Sequence, residues 1–93
     1  MSGRVENAIR EKLQASFAPA ELDIEDESAK HAGHAGARPG GETHFRVRIV
    51  SSAFEGLSRV ARQRLVYARL ADEFAAGVHA LALQTLTPEE AGR

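Results

Sequence analysis

Apolar residues Val5, Ile9, Leu13 and Phe17 recur at four-residue steps, with Ala8 and Ser16 filling the stripe and Arg4, Glu6, Arg10, Glu11 and Lys12 outside it. That spacing predicts an amphipathic helix. Ser2 is its expected N-cap, and Pro19 ends it near Phe17, because proline disfavours helical geometry in the residue before it. Next, Leu22 and Ile24 alternate with the acids Glu21, Asp23 and Glu25, a period of two that predicts a short strand with one buried face. A stronger alternation follows, with Thr43, Phe45, Val47 and Ile49 against His44, Arg46 and Arg48, and predicts a second strand.

Between these strands, residues 29–41 hold four glycines, one proline and no large apolar side chain, so they read as a loop. The two strands are expected to pair antiparallel, although hairpin loops usually have only about 2–5 residues. The pattern breaks at residues 54–58, where Ser58 is placed to cap a second helix. Val66, Leu70 and Phe74 form its core face, with Leu65 and Tyr67 adjacent and Arg59, Arg62 and Arg69 elsewhere. Gly77 is placed to end this helix. The apolar run over residues 78–83 is too short for another helix and suits a buried third strand. Residues 85–93 are polar.

The resulting order is helix, strand, strand, helix, strand, an α+β fold of αββαβ type. It implies a three-stranded sheet with helices packed on one face. One domain over residues 1–86 is expected, followed by a polar C-terminal tail over residues 87–93. No internal repeat is visible.

Composition narrows the chemistry. A chain of 93 residues falls below the usual span of about 100–200 per domain, so two independent cores are excluded. With no cysteine, there can be no disulfide framework, thiol nucleophile or thiolate metal ligand. Metal chemistry must therefore use His, Asp or Glu. The net charge of -1 argues against bulk attraction to nucleic acid, but it conceals an asymmetry. Residues 21–27 carry five acids and no base, whereas six arginines between Arg46 and Arg69 face the single acid Glu55. No apolar run approaches a membrane span and the N-terminus has no targeting pattern, so the expected compartment is cytoplasmic.

Histidines are the main candidates for a site. His31 and His34, with two residues between them in a glycine-rich loop, have a spacing compatible with metal binding because that backbone can bend around an ion. They are also readable as solvated loop residues. His79 sits where the second helix ends and the third strand begins, either as a ligand or as a buried, hydrogen-bonded core histidine. His44 reads as structural or exposed. A zinc site from His31, His34 and His79 would give three nitrogen ligands with one position open. No serine occupies a strained nucleophile-elbow turn, no acid and base are paired, and no enzyme activity or small-molecule substrate is expected. Gly33 and Gly36 match a GxxG nucleic-acid clamp, but between strands instead of helices. Arg59, Arg62 and Arg64 are better candidates for phosphate contact, with a solvated helix face as the competing reading.

The order of elements resembles the BolA family. So do the segments DES at 26–28, ETHF at 42–45, VSSAFEG at 50–56, RQRLVY at 62–67 and VHALAL at 78–83, together with the loop histidines. The resemblance covers nearly the whole chain. It implies a fold similar to a type II KH domain without a proper clamp, and a non-enzymatic role as heterodimeric partner of a monothiol glutaredoxin. In that arrangement a [2Fe-2S] cluster is shared with the glutaredoxin cysteine and glutathione, for assembly, trafficking or regulation. His79 matches the family's C-terminal ligand histidine, and the loop ligand would be His31, with His34 as the alternative. Members of the family have also been linked to transcriptional control of stress responses. The second function implied is therefore a DNA-binding regulator using Arg59, Arg62 and Arg64. The chain departs from the family at Gln63, where a histidine is usual, so no role of that histidine carries over.

Overall fold

The structure is a computed structural model in which residues 3–27 and 44–92 are described. Helix α1 runs over Arg4–Phe17 and buries Ile9, Leu13 and Phe17. Gly3 stands at its N-cap without a side-chain hydrogen bond; Ser2 lies outside the described residues. At the other end Ala18 takes a left-handed conformation, φ 42°, and donates its N–H to the Gln14 carbonyl at 3.1 Å. With Pro19 next, the chain turns directly into strand β1 (Glu21–Asp26).

β1 pairs antiparallel with β2 (His44–Val50), so the expected pairing is present, in a register that sets Leu22 against Ile49 and Ile24 against Val47. The period-two pleat therefore turns Leu22, Ile24, Phe45, Val47 and Ile49 toward the helices, and sets Asp23 beside Arg48 and Glu25 beside Arg46 on the outer face. The ion pairs there run diagonally. Arg48 reaches Glu21 at 2.9 Å and Arg46 reaches Glu27 at 3.4 Å.

After β2, Ser51 is buried and its hydroxyl serves two elements. It donates to the Phe17 carbonyl at 2.6 Å and accepts the Ala53 N–H at 3.1 Å, capping a 3-10 turn over Ser52–Phe54. Phe54 and Phe17 then pack with ring centroids 5.2 Å apart. Ser58 caps α2 (Arg59–Arg69) by accepting the Ala61 N–H at 3.1 Å, as its position in the sequence implies.

The single helix expected up to Gly77 is broken. Leu70, with φ -106° and ψ 17°, separates α2 from α3 (Ala71–Ala76), yet it remains a buried core residue. Leu65 and Tyr67, expected beside the core face, are 38% and 37% exposed. Tyr67 instead packs against Phe74 and donates its hydroxyl to the Leu81 carbonyl. Arg62, expected away from the core, is buried. Lys12 ties α1 to α3 through Glu73 at 2.9 Å.

Gly77 closes α3 at φ 130°, and Val78 is buried, but the third strand differs from expectation. β3 spans Ala80–Leu86 and pairs parallel with β2, at the sheet edge in the order β1-β2-β3. Only one side is inward: Leu81 and Leu83 pack on the core, while Ala80, Ala82 and Gln84 are exposed. The apolar run over residues 78–83 thus reflects small alanines on an open face and not burial on two sides.

The expected polar tail also folds. Thr87 and Glu90 form a reciprocal capping box around α4 (Pro88–Ala91), with Pro88 at the first helical position. Glu90 is bonded to Arg62 of α2, so the fold extends past residue 86. The core joins Ile9, Leu13, Phe17, Phe45, Val47, Ile49, Phe54, Val66, Leu70 and Val78 on the helix-facing side of the mixed sheet. Among the described residues, no helix is long and apolar enough to cross a membrane.

Candidate functional site

His79 owes its position to the residues around it. Gly77 supplies the positive φ that stops α3, Val78 anchors the chain in the core, and Ala80 begins β3 in register with His44. His79 is therefore an exposed imidazole fixed at both neighbours, at the sheet end where β2 starts. His44, the first residue of β2, is only 7% exposed. Its ring centroid lies 5.2 Å from that of His79, with an angle of 52° between the ring planes.

Of the two readings of His79, the buried core histidine does not hold, since His79 is exposed, and it is His44 that is buried. The juxtaposition was missed in the sequence because 35 positions separate the two residues. The available signal was that a crossover places the start of a parallel third strand beside the start of its neighbour.

The same sheet end anchors the segment that carries the other two histidines. Glu27 donates its N–H to the His44 carbonyl at 2.7 Å, so the two described residues flanking 28–43 are hydrogen-bonded to each other beside His79. His31 and His34 lie outside the described residues. Among the described residues, no three His, Asp or Glu side chains converge on a metal position. The described part of the site offers imidazole nitrogen and no complete ligand set. The GxxG match at Gly33 and Gly36 likewise lies outside the described residues.

The basic segment divides into separate surfaces. Arg62 points inward: its Nε donates to the Leu57 carbonyl at 3.0 Å, and its Nη1 to the Thr85 carbonyl at 3.2 Å and to Glu90 Oε1 at 2.7 Å. It is 6% exposed, which corrects its expected place beside Arg59 and Arg64 on a nucleic-acid face. The paired guanidinium, helped by the Thr87 backbone N–H, holds the Glu90 carboxyl down at about 2. Arg59 and Arg64 are exposed, but at about 100° per residue they diverge by about 140° around α2. Arg46 and Arg48 lie on the outer sheet face, in a groove of about 870 Å³ that also carries Asp23, Glu25 and Gln84. Three-dimensional placement therefore disperses the basic run of the sequence over separate regions.

Against known proteins, the chain matches the family model described as BolA-like protein over residues 13–90. It is 52% identical over 90 residues to BolA-like protein 1 of Pongo abelii, covering 97% of this chain and 63% of that protein's length. It is 43% identical over 86 residues to the DNA-binding transcriptional regulator BolA of Escherichia coli, covering 92% of this chain and 78% of that one. Among solved structures, the BolA domain of SufE1 from Arabidopsis thaliana superposes with a TM-score of 0.88 at 49% identity, covering 97% and 99% of the two chains.

Proposed function

Because the chain belongs to the BolA family, we propose that it is a non-enzymatic adaptor that binds a monothiol glutaredoxin and co-ligates a [2Fe-2S] cluster as cargo, in assembly, trafficking or regulation. His79 is one ligand and His31 or His34 the other, with the glutaredoxin cysteine and glutathione holding the remaining positions. The observation that carries this reading is the place of His79: an exposed imidazole at the sheet end where Glu27 and His44 flank the segment bearing the loop histidines.

Without cysteine, this chain offers the iron nitrogen and no thiolate. Two imidazoles on one iron resemble Rieske ligation and raise the reduction potential relative to an all-thiolate cluster. The imidazoles must be neutral to ligate, so the cluster is released at mildly acidic pH. Cytoplasmic placement belongs to the same proposal.

The test is anaerobic reconstitution of the chain with a monothiol glutaredoxin and glutathione, followed by visible absorption and circular dichroism. A heterodimer spectrum distinct from that of the glutaredoxin homodimer, lost in His79→Ala, is expected. No complex and an unchanged homodimer spectrum would overturn the proposal.

The name of the Escherichia coli relative favours a second reading, a DNA-binding regulator. On this chain it would rest on Arg59 and Arg64, because Arg62 is committed to Glu90 and two carbonyls. In that case Arg59→Ala and Arg64→Ala each weaken DNA binding and flatten its salt dependence, while His79→Ala does neither.

A further inference from the structure

Resting on the cluster-sharing reading, we propose that His44 is a positioning residue that holds the His79 imidazole in one orientation for its ligand. His79 lies on the short link between Gly77 and β3 and is exposed. Its backbone is fixed by the buried Val78 before it and by Ala80, which pairs with His44, after it. Backbone anchoring leaves the side chain undetermined, since a solvent-facing imidazole still has three staggered χ1 wells and a broad χ2. His44 removes that freedom. It is nine-tenths buried on the rigid central strand, and its tilted ring stands 5.2 Å from the His79 ring, within the range at which aromatic rings pack. The ring of His44 thus packs against that of His79, which remains exposed.

The consequence follows from population arithmetic. If one well is competent for ligation, releasing His79 to three equal wells lowers the competent fraction, and with it the apparent affinity, by about threefold. This role needs the ring of His44 and not its nitrogens, which separates it from a ligand role.

The test uses His44→Ala and His44→Phe, the second of which keeps a ring at the same place. In the free protein, nuclear magnetic resonance reads the His79 χ1 couplings and the ring-to-ring Overhauser contacts. In the heterodimer, visible circular dichroism follows the rate of cluster loss to a chelator. A single His79 rotamer is expected in the parent and in His44→Phe. Averaging in His44→Ala should accompany cluster loss about threefold faster. If His44→Ala does not fold, His44→Gln replaces it as the ring-less variant. An unchanged rotamer and lifetime in the ring-less variant would overturn the proposal. So would a His44→Phe that folds but behaves like the ring-less variant, since the nitrogen would then be what acts. Should the parent take up no cluster with a glutaredoxin, the cluster-sharing reading falls, while the couplings in the free protein still decide whether His44 orients His79.

Discussion

Replacing Arg62 by alanine separates a structural arginine from a nucleic-acid contact. The guanidinium donates to the Leu57 and Thr85 carbonyls and makes two bonds to Glu90, of 2.7 and 3.3 Å. Truncation leaves two main-chain acceptors without their donor. Each such loss costs about 1–3 kcal/mol. The two together cost about 2–6 kcal/mol, before any effect of releasing α4. Against a total of about 5–15 kcal/mol, that is a large share of the stability of a small domain. Urea unfolding followed by far-ultraviolet circular dichroism measures it, with Arg64→Ala as the exposed control, expected within about 0.5 kcal/mol of the parent. Equal midpoints for Arg62→Ala and Arg64→Ala would refute the assignment of Arg62 to the interior.

Three other outcomes follow from packing and charge. Leu13, fully buried between α1 and the sheet, should lose about 2–5 kcal/mol on replacement by alanine, read in the same unfolding experiment. The Glu90 carboxyl is held at about 2, below its ordinary 4.5, by the Arg62 guanidinium, so its contribution is present above 4.5 and disappears as pH falls toward 2. The stability difference between the parent and Glu90→Gln should therefore shrink over that window, and a difference that stays constant from pH 6 to pH 2 would contradict the Arg62 clamp. The Lys12 ammonium is held above its ordinary 10.5 by its hydrogen bond to Glu73, so Lys12→Met should lower the melting temperature at neutral pH, with the gap narrowing as pH rises past 10.5.

The first half of the fold was legible because its signals are periodic and local. Ile9, Leu13 and Phe17 mark one helix face, and Phe45, Val47 and Ile49 mark one sheet face. The second half depended on partners distant in sequence. The third strand was expected to stop at Leu83 because nothing local shows that β2 offers Gln84 and Thr85 a ladder, and Ala80 and Ala82 count as apolar letters although they face solvent. Arg62 read as surface because its counter-charge lies 28 residues away on a turn whose capping box went unrecognised. Of the site, the position of His79 was legible from Gly77. Its exposure, and the ring of His44 beside it, arise from the parallel crossover that aligns the first residues of β2 and β3.

The most direct test of the central claim is pulsed electron-nuclear spectroscopy on the reduced cluster, with nitrogen-15 histidine incorporated into this chain only and the glutaredoxin left at natural abundance. The account predicts nitrogen-15 hyperfine couplings of directly bound imidazole, lost in part in His79→Ala. A cluster that forms in the presence of this chain but shows no coupling to its labelled histidines would contradict it.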